Sequence, residues 1–226
     1  MGAGVFITGT DTGVGKTIIA CRLIESLEAS GVEVAVRKPV ESGCVAGKDG
    51  LIAADADSLA AASASPSNSS LQVCCYRYKA ATSPARAALL AGETLYIEQL
   101  VACSRSDAQL TMVEGAGGLL SPIATDGLNI DLIEALGFSV IVVSSDQLGS
   151  INHALLTLEA LAARRLKVIA VVLNRLNQQT YGCDLDNYRE LNALVEVPIV
   201  QVYKDNIASS ALSELTTLIT NTILVD

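Results

Sequence analysis

FITGTDTGVGKT, residues Phe6 to Thr17, runs from an apolar strand pattern into a Gly-Lys-Thr. A strand, a glycine-rich turn and a helix start in that order form a phosphate loop. Gly13 and Gly15 let backbone amides crowd around oxygens with no Cβ in the way. Lys16 is placed to reach the β- and γ-phosphates of a nucleotide, the Thr17 hydroxyl to ligate Mg2+, and the helix N-terminus adds positive field. The spacing from Gly9 to Lys16 is Gly-x5-Gly-Lys, one residue longer than the usual Gly-x4-Gly-Lys.

Working outward, apolar runs alternate with helical patterns along the chain. VFITG, VEVAVRK, LQVCCYRY, QLTMVEG, SVIVVSS, KVIAVVLN and PIVQVY read as strands. Helical spacing is clearest over Thr17–Ala29, Asp55–Ala64, Pro84–Ala91, Tyr96–Arg105, Ile130–Leu136, Asn152–Arg164 and Asp186–Val195, with a last helix from Ser209 to about Thr222. Strands separated by helices predict an α/β fold, a mostly parallel sheet covered on both faces by right-handed crossovers. Ligands in such folds bind beyond the carboxyl ends of the strands. With 226 residues and no break in this pattern, one domain spanning 1–226 is expected.

The composition argues against several roles. A net charge of −9 disfavours nucleic acid and anionic membrane surfaces, so neither is expected as a partner. FSVIVVS and VIAVVL are too short to span a bilayer and no signal peptide is evident, which predicts a soluble, cytoplasmic protein. The 6 cysteines lack CxxC spacing and read as reduced thiols, and His153 is the only histidine, which excludes sites built on several histidines. His153 reads as a structural residue in a first helical turn.

Other chemistry-bearing residues follow strand-like runs. Lys38 stands before Pro39, which holds it extended at a strand end. There a second ammonium comes level with the phosphate loop, and Ser42 and Gly43 follow in a loop with hydrogen-bonding groups. In MVEGAGGLLSP, Glu114 ends a strand as an Mg2+-side carboxylate would, and Gly115, Gly117 and Gly118 turn backbone amides toward an anion. Asp55 completes an oxygen shell with Thr17, Glu114 and waters, with Asp57 open as an alternative; Asp55 reads equally as a helix N-terminal carboxylate. The first-turn amides near Ser150 to His153 form a carboxylate-binding nest.

Together TGTDTGVGKT, KPVESG, VEGAGGLLSP, LGSINHALLTLEAL and LNR resemble the dethiobiotin synthetase family, in that family's order and from Thr8 to Arg175. The resemblance implies a single P-loop domain with about seven strands, and a homodimer with substrate at its interface. It implies ATP- and Mg2+-dependent closure of a cyclic urea on 7,8-diaminononanoate with CO2. One amine captures CO2 as a carbamate, ATP phosphorylates the carbamate, and the second amine attacks the resulting carbamic–phosphoric anhydride. By the same resemblance Thr12 and Lys38 lie near the carbamate, beside Lys16, and Ser42 on the diamine. Gly13, Val14, Gly15, Lys16, Thr17 and Ile18 contact nucleotide, as do Glu114, Gly115, Ala116 and Gly117, while Asn174 reads adenine. Thr17, Asp55 and Glu114 match the metal positions. Amides of Gly149, Ser150, Ile151 and Asn152 receive the substrate carboxylate from the other subunit, with Tyr188 a further candidate.

Three departures stand out: Gly13 replaces a glutamate of some members, Gln147 a lysine, and PIVQVYKDN lacks a Gly-x-x-Pro-like turn. The alternatives are another phosphate-loop amide-forming ligase, or a partition- or division-site switch ATPase. The first needs a glutamine-hydrolysing domain, for which this length leaves no room. The second carries a signature lysine where this chain has Asp11, and its membrane-binding members end in a basic helix, unlike SSALSELTTLITNTILVD.

Overall fold

The computed structural model describes residues 3–48, 50–175, 185–203 and 210–224. In chain order they form β1 (Ala3–Gly9), α1 (Lys16–Ala29), β2 (Val34–Arg37), β3 (Val40–Ser42), β4 (Val45–Gly47), β5 (Gly50–Ile52), α2 (Ala54–Ala62) and α3 (Ser70–Val73). Then come β6 (Tyr76–Tyr78), α4 (Pro84–Leu90), α5 (Ile97–Ser104), β7 (Leu110–Gly118), β8 (Pro122–Ala124), β9 (Gly127–Leu128) and α6 (Asn129–Leu136). The chain continues through β10 (Ser139–Ser145), α7 (Ser150–Ala163), β11 (Val168–Arg175), α8 (Asn187–Asn192), β12 (Ile199–Tyr203) and α9 (Ser210–Ile219), which ends in a π-helical turn, Thr220–Leu224.

Six strands make one parallel sheet in the order β12-β11-β10-β1-β7-β2. Alternation along β1 divides the core. Val5 and Ile7 face the layer of α1, α2 and α9, where Ile19, Leu23, Leu27 and Leu215 pack. Phe6 faces the opposite layer with Ile133, Leu161 and Val140. Such two-faced burial explains the Val- and Ile-rich runs without polar alternation.

The sheet has one strand fewer than the seven strand-like runs. LQVCCYRY divides: Ser69 and Gln72 form a reciprocal capping box that starts the helical turn α3, and only Tyr76–Tyr78 is extended. That strand pairs with β3 outside the main sheet. Pro39 is the physical reason, since it lacks an N–H and ends β2, so the chain restarts in a new direction at Val40. The crossing is pinned where the Lys38 N–H donates to Val73 O (2.8 Å) and the Tyr76 N–H to Pro39 O (3.1 Å). Neither the β4–β5 hairpin nor the β8–β9 pair is evident in the sequence pattern. Among the described residues, no helix is long and apolar enough to cross a membrane.

Candidate active site

The strand β1 ends at Gly9 and α1 begins at Lys16, so the loop sits at the carboxyl edge of the sheet's centre. Gly13 (φ 75°) and Gly15 (φ 94°) are left-handed, a conformation that penalises any Cβ. At Gly9 an added Cβ would lie 3.0 Å from Lys16 Nζ. The Lys16 ammonium therefore folds back over the strand end, where it donates to Asp11 O (3.1 Å). Burial lowers its pKa to about 8; Glu114 works against the shift and Lys38 adds to it.

Lys38 is the electrostatic centre. Its buried ammonium lies 2.5 Å from Glu114 Oε1 and 2.7 Å from Asp55 Oδ2, joining β7 and α2 to the end of β2. Burial opposes its charge, but the two carboxylates outweigh burial and its pKa is raised. Asp55 is held below the usual carboxylate range: burial pushes the other way, and Lys38 and the Thr17 hydroxyl overcome it. Thr17 Oγ1 donates to Glu114 Oε1 (2.9 Å), while Glu114 Oε2 is buried without a partner. Thr17, Asp55 and Glu114 thus converge. Among the described residues no three His, Cys, Asp or Glu side chains gather as an all-protein metal cage. This donor set fits Mg2+, which keeps several waters and binds through one or two carboxylates.

A cavity of about 830 Å³ opens here. Of the residues singled out in the sequence, Thr12, Gly13, Gly15, Lys16, Thr17, Ile18, Lys38, Ser42, Gly43, Asp55, Glu114, Ala116 and Gly117 line it. The others sit elsewhere. Val14 is buried, its carbonyl accepting from Asn174 Nδ2 (2.8 Å), which leaves Asn174 Oδ1 a buried acceptor without a partner. Gly115 packs between Asn129 and Phe6. Gly149 to Asn152 form the start of α7, and the partly exposed Tyr188 lies on α8, all outside the cavity lining. The Ser150 N–H is already used on Gln147 O (3.1 Å), and its hydroxyl receives the Gln147 N–H (2.9 Å). His153 is exposed on α7 and takes no place in the cavity.

Three residues escaped the sequence reading. Glu41 Oε1 and Oε2 accept the N–H groups of Asp55 (3.1 Å) and Ala56 (3.0 Å), so a distant carboxylate caps α2, whose own N-cap, Ala53, offers no side-chain bond. Burial raises the pKa of Glu41 against those two bonds. Buried Asn129 staples the glycine turn after Glu114, accepting from Ala116 N (3.2 Å) and donating to Ala116 O (2.8 Å) and Gly118 O (2.9 Å). The third is Asp146, buried just after β10. The only prior signal is Asn129's place at a helix start. Cys21, Cys44, Cys74, Cys75 and Cys103 are free thiols, while Cys183 lies outside the described residues. So does the part of PIVQVYKDN after Tyr203.

Comparison with known proteins fits this geometry. A family model described as an AAA domain matches residues 3–203. The chain is 44% identical over 190 residues to the ATP-dependent dethiobiotin synthetase BioD of Anaeromyxobacter sp. (strain Fw109-5), covering 81% of this chain and 79% of the relative. It is 39% identical to that of Vesicomyosocius okutanii subsp. Calyptogena okutanii (strain HA), covering 91% and 92% respectively. The chain belongs to the dethiobiotin synthetase family. It is an ATP-dependent ligase of biotin biosynthesis, acts on small molecules, and closes the ureido ring of dethiobiotin. Among solved structures, the septum site-determining protein MinD of Pyrococcus horikoshii OT3, complexed with Mg-ADP, aligns with TM-score 0.55 at 15% identity, over 98% of this chain and 96% of that one. The cell division ATPase MinD of Pyrococcus furiosus aligns with TM-score 0.51 at 15% identity, over 98% of both. At that identity the likeness is one of fold: the α/β phosphate-loop architecture is shared.

Proposed function

We propose that the residues gathered around Lys38 carry the ring closure, in one domain spanning the chain. Two anions, a carbamate and a γ-phosphate, must meet, and their repulsion must be offset where charge gathers in the transition state. Lys16, the amides of Gly13 to Ile18 and the α1 N-terminus hold the triphosphate. The Glu114–Gly117 turn, with the alignment given by Asn129, flanks it. Lys38 and Thr12 orient the carbamate oxygen for in-line attack on the γ-phosphorus, which leaves ADP. Ser42, on the same cavity wall, positions the diamine so that the second amine reaches the activated carbonyl, forming the C–N bond as phosphate departs. Thr17, Asp55 and Glu114 would hold Mg2+, which supplies charge neutralisation on the β- and γ-phosphates when bound. Asn174 offers its orphan Oδ1 to an exocyclic amino group of the base.

The substrate's far carboxylate meets the start of α7, where Ile151 and Asn152 are in the first turn, with Tyr188 nearby on α8. Leu148, Leu156, Tyr188 and Leu194 are exposed there. That apolar surface supports a homodimer in which one protomer's α7 faces its partner's cavity. CO2 enters from bicarbonate, and the setting is cytoplasmic. The single observation that carries the reading is Lys38, a buried ammonium shared by two carboxylates at the cavity wall.

Phosphate release from MgATP and bicarbonate, with and without 7,8-diaminononanoate, tests it, with the urea followed by mass. Diamine-dependent release together with the cyclic product is expected. Release without the diamine, as a switch ATPase would give, overturns it.

A further inference from the structure

We propose that Asp146 is a positioning residue that holds the base end of the nucleotide site and the carboxylate end of the diamine site as one unit. The inference rests on the roles proposed above for Asn174 and the start of α7. Asp146 follows β10 directly, and its side chain is fully buried. Its carboxylate takes side-chain donors from three elements: Asn187 Nδ2 of α8 at 2.8 Å, Gln201 Nε2 of β12 at 2.9 Å and Arg175 Nε of β11 at 2.9 Å.

Two arms leave this hub. On one, Asn187 Nδ2 also donates to Gln147 O (3.0 Å), Gln147 N donates to Ser150 Oγ (2.9 Å), and Ser150 Oγ donates to Ser145 O. That chain of bonds sets the turn from which α7 starts, and Tyr188 is the next residue after Asn187. On the other arm, the Asp146 N–H donates to Asn174 O (3.0 Å), and the guanidinium of Arg175 lies 5.7 Å from the centroid of the Tyr203 ring. Asn174 is meanwhile tied to the phosphate loop through Val14 O.

A buried ion pair is weak evidence for stability, because apolar residues of similar volume hold a core as well. What Asp146 provides that an apolar residue would not is direction: each donor is aimed, with Asn187 leading to the turn before α7 and Arg175 standing next to Asn174. Asp146 itself lies outside the cavity lining where the chemistry takes place. Its loss should therefore change how both substrates are held and leave the reacting centre as it was.

Steady-state kinetics on the full-length protein with MgATP and 7,8-diaminononanoate tests this with three variants. In Asp146→Asn, KM for ATP and for the diamine each rise about tenfold, with kcat within about twofold. Asn187→Ala cuts only the α7 arm and raises KM for the diamine alone; Arg175→Gln cuts only the base arm and raises KM for ATP alone. The diamine methyl ester gives a second readout. Its penalty relative to the acid, large in the wild type, shrinks in Asp146→Asn and Asn187→Ala and stays full in Arg175→Gln. The single-arm variants carry the test should Asp146→Asn fail to fold. A uniform fall in kcat in the variants, or KM values unmoved by them, overturns the inference. Wild type that makes no cyclic urea fails the underlying reading instead, and wild-type turnover is measured first.

Discussion

Replacing Lys38 by methionine should damage stability and catalysis through the same atoms. The substitution keeps length and removes the charge, leaving Glu114 stranded with its side chain 1% exposed. Breaking a buried ion pair from one side costs about 3–5 kcal/mol, mostly because the remaining charge is left uncompensated. Asp55 adds little, since its side chain is 46% exposed and water screens that pair. Taking ~3 kcal/mol, and ~2–4 °C per kcal/mol for a chain of this size, the melting temperature should fall by roughly 6–12 °C at neutral pH. Urea formation should be lost. The control is a double-mutant cycle by thermal melting with Lys38→Met, Glu114→Gln and the pair. The double variant, which strands no charge, should recover most of the lost stability and none of the activity. Melting of Lys38→Met within about 2 °C of wild type, with no coupling in the cycle, would refute the picture of Lys38 as the buried counter-ion of Glu114.

Asn174→Ala should raise KM for ATP about tenfold and narrow the preference for ATP over GTP, because the substitution removes the Oδ1 acceptor offered to an exocyclic amino group; competition binding of the two nucleotides checks it, and unchanged selectivity counts against base reading. Asn152→Pro, exposed in the first turn of α7, removes one amide while a helix start tolerates proline. Diamine affinity should fall while the acid-to-ester ratio narrows, and an unaltered ratio in calorimetry would sink the amide-nest reading. Glu41→Ala removes two bonds from the start of α2 and should cost ~1–2 kcal/mol in melting experiments. It should also raise the Mg2+ concentration needed for half-maximal turnover, with Glu41→Gln intermediate; an unchanged Mg2+ requirement would make Glu41 a cap and no more.

The strand–loop–helix unit was legible because everything that defines it is local. Glycines at left-handed positions, a lysine and a threonine stand within twelve residues, and β1 and α1 follow from the same stretch. Lys38 was legible as a strand-end residue, since Pro39 marks where β2 stops; Glu114 was expected to end its strand, but β7 runs on through the glycines to Gly118, pairing with Gly9 after a register shift. The direct contact of Lys38 with Glu114, across 76 residues, was not legible. LQVCCYRY misled because its apolar and aromatic content suits a strand, whereas the Ser69–Gln72 capping box acts first. Glu41 and Asp146 left no local trace. One caps a helix 14 and 15 residues away and the other meets Gln201 across 55, so their meaning exists only after the sheet has assembled.

How a chain of net charge −9 binds a triphosphate and a carbamate together is answered by the local arrangement. Two ammonium groups, Lys16 and Lys38, face three carboxylates, Asp55, Glu114 and Glu41, around the same cavity. Side-chain charge at the site is therefore not positive before ligands arrive, and on the proposed reading the attraction for phosphate comes from loop amides and the start of α1, which act over short range. A tetra-anionic nucleotide brought in alone would meet Glu114 and Asp55 across a few ångströms. The same two carboxylates become favourable once a divalent cation travels with the phosphates. The site should thus bind MgATP at least tenfold more tightly than ATP in excess chelator, a difference of about 1.4 kcal/mol or more. Calorimetry with and without Mg2+ measures that ratio directly. Equal affinity in the two conditions would mean that Lys38 already neutralises both carboxylates toward the nucleotide, and that Thr17, Asp55 and Glu114 do not form the metal side of the site.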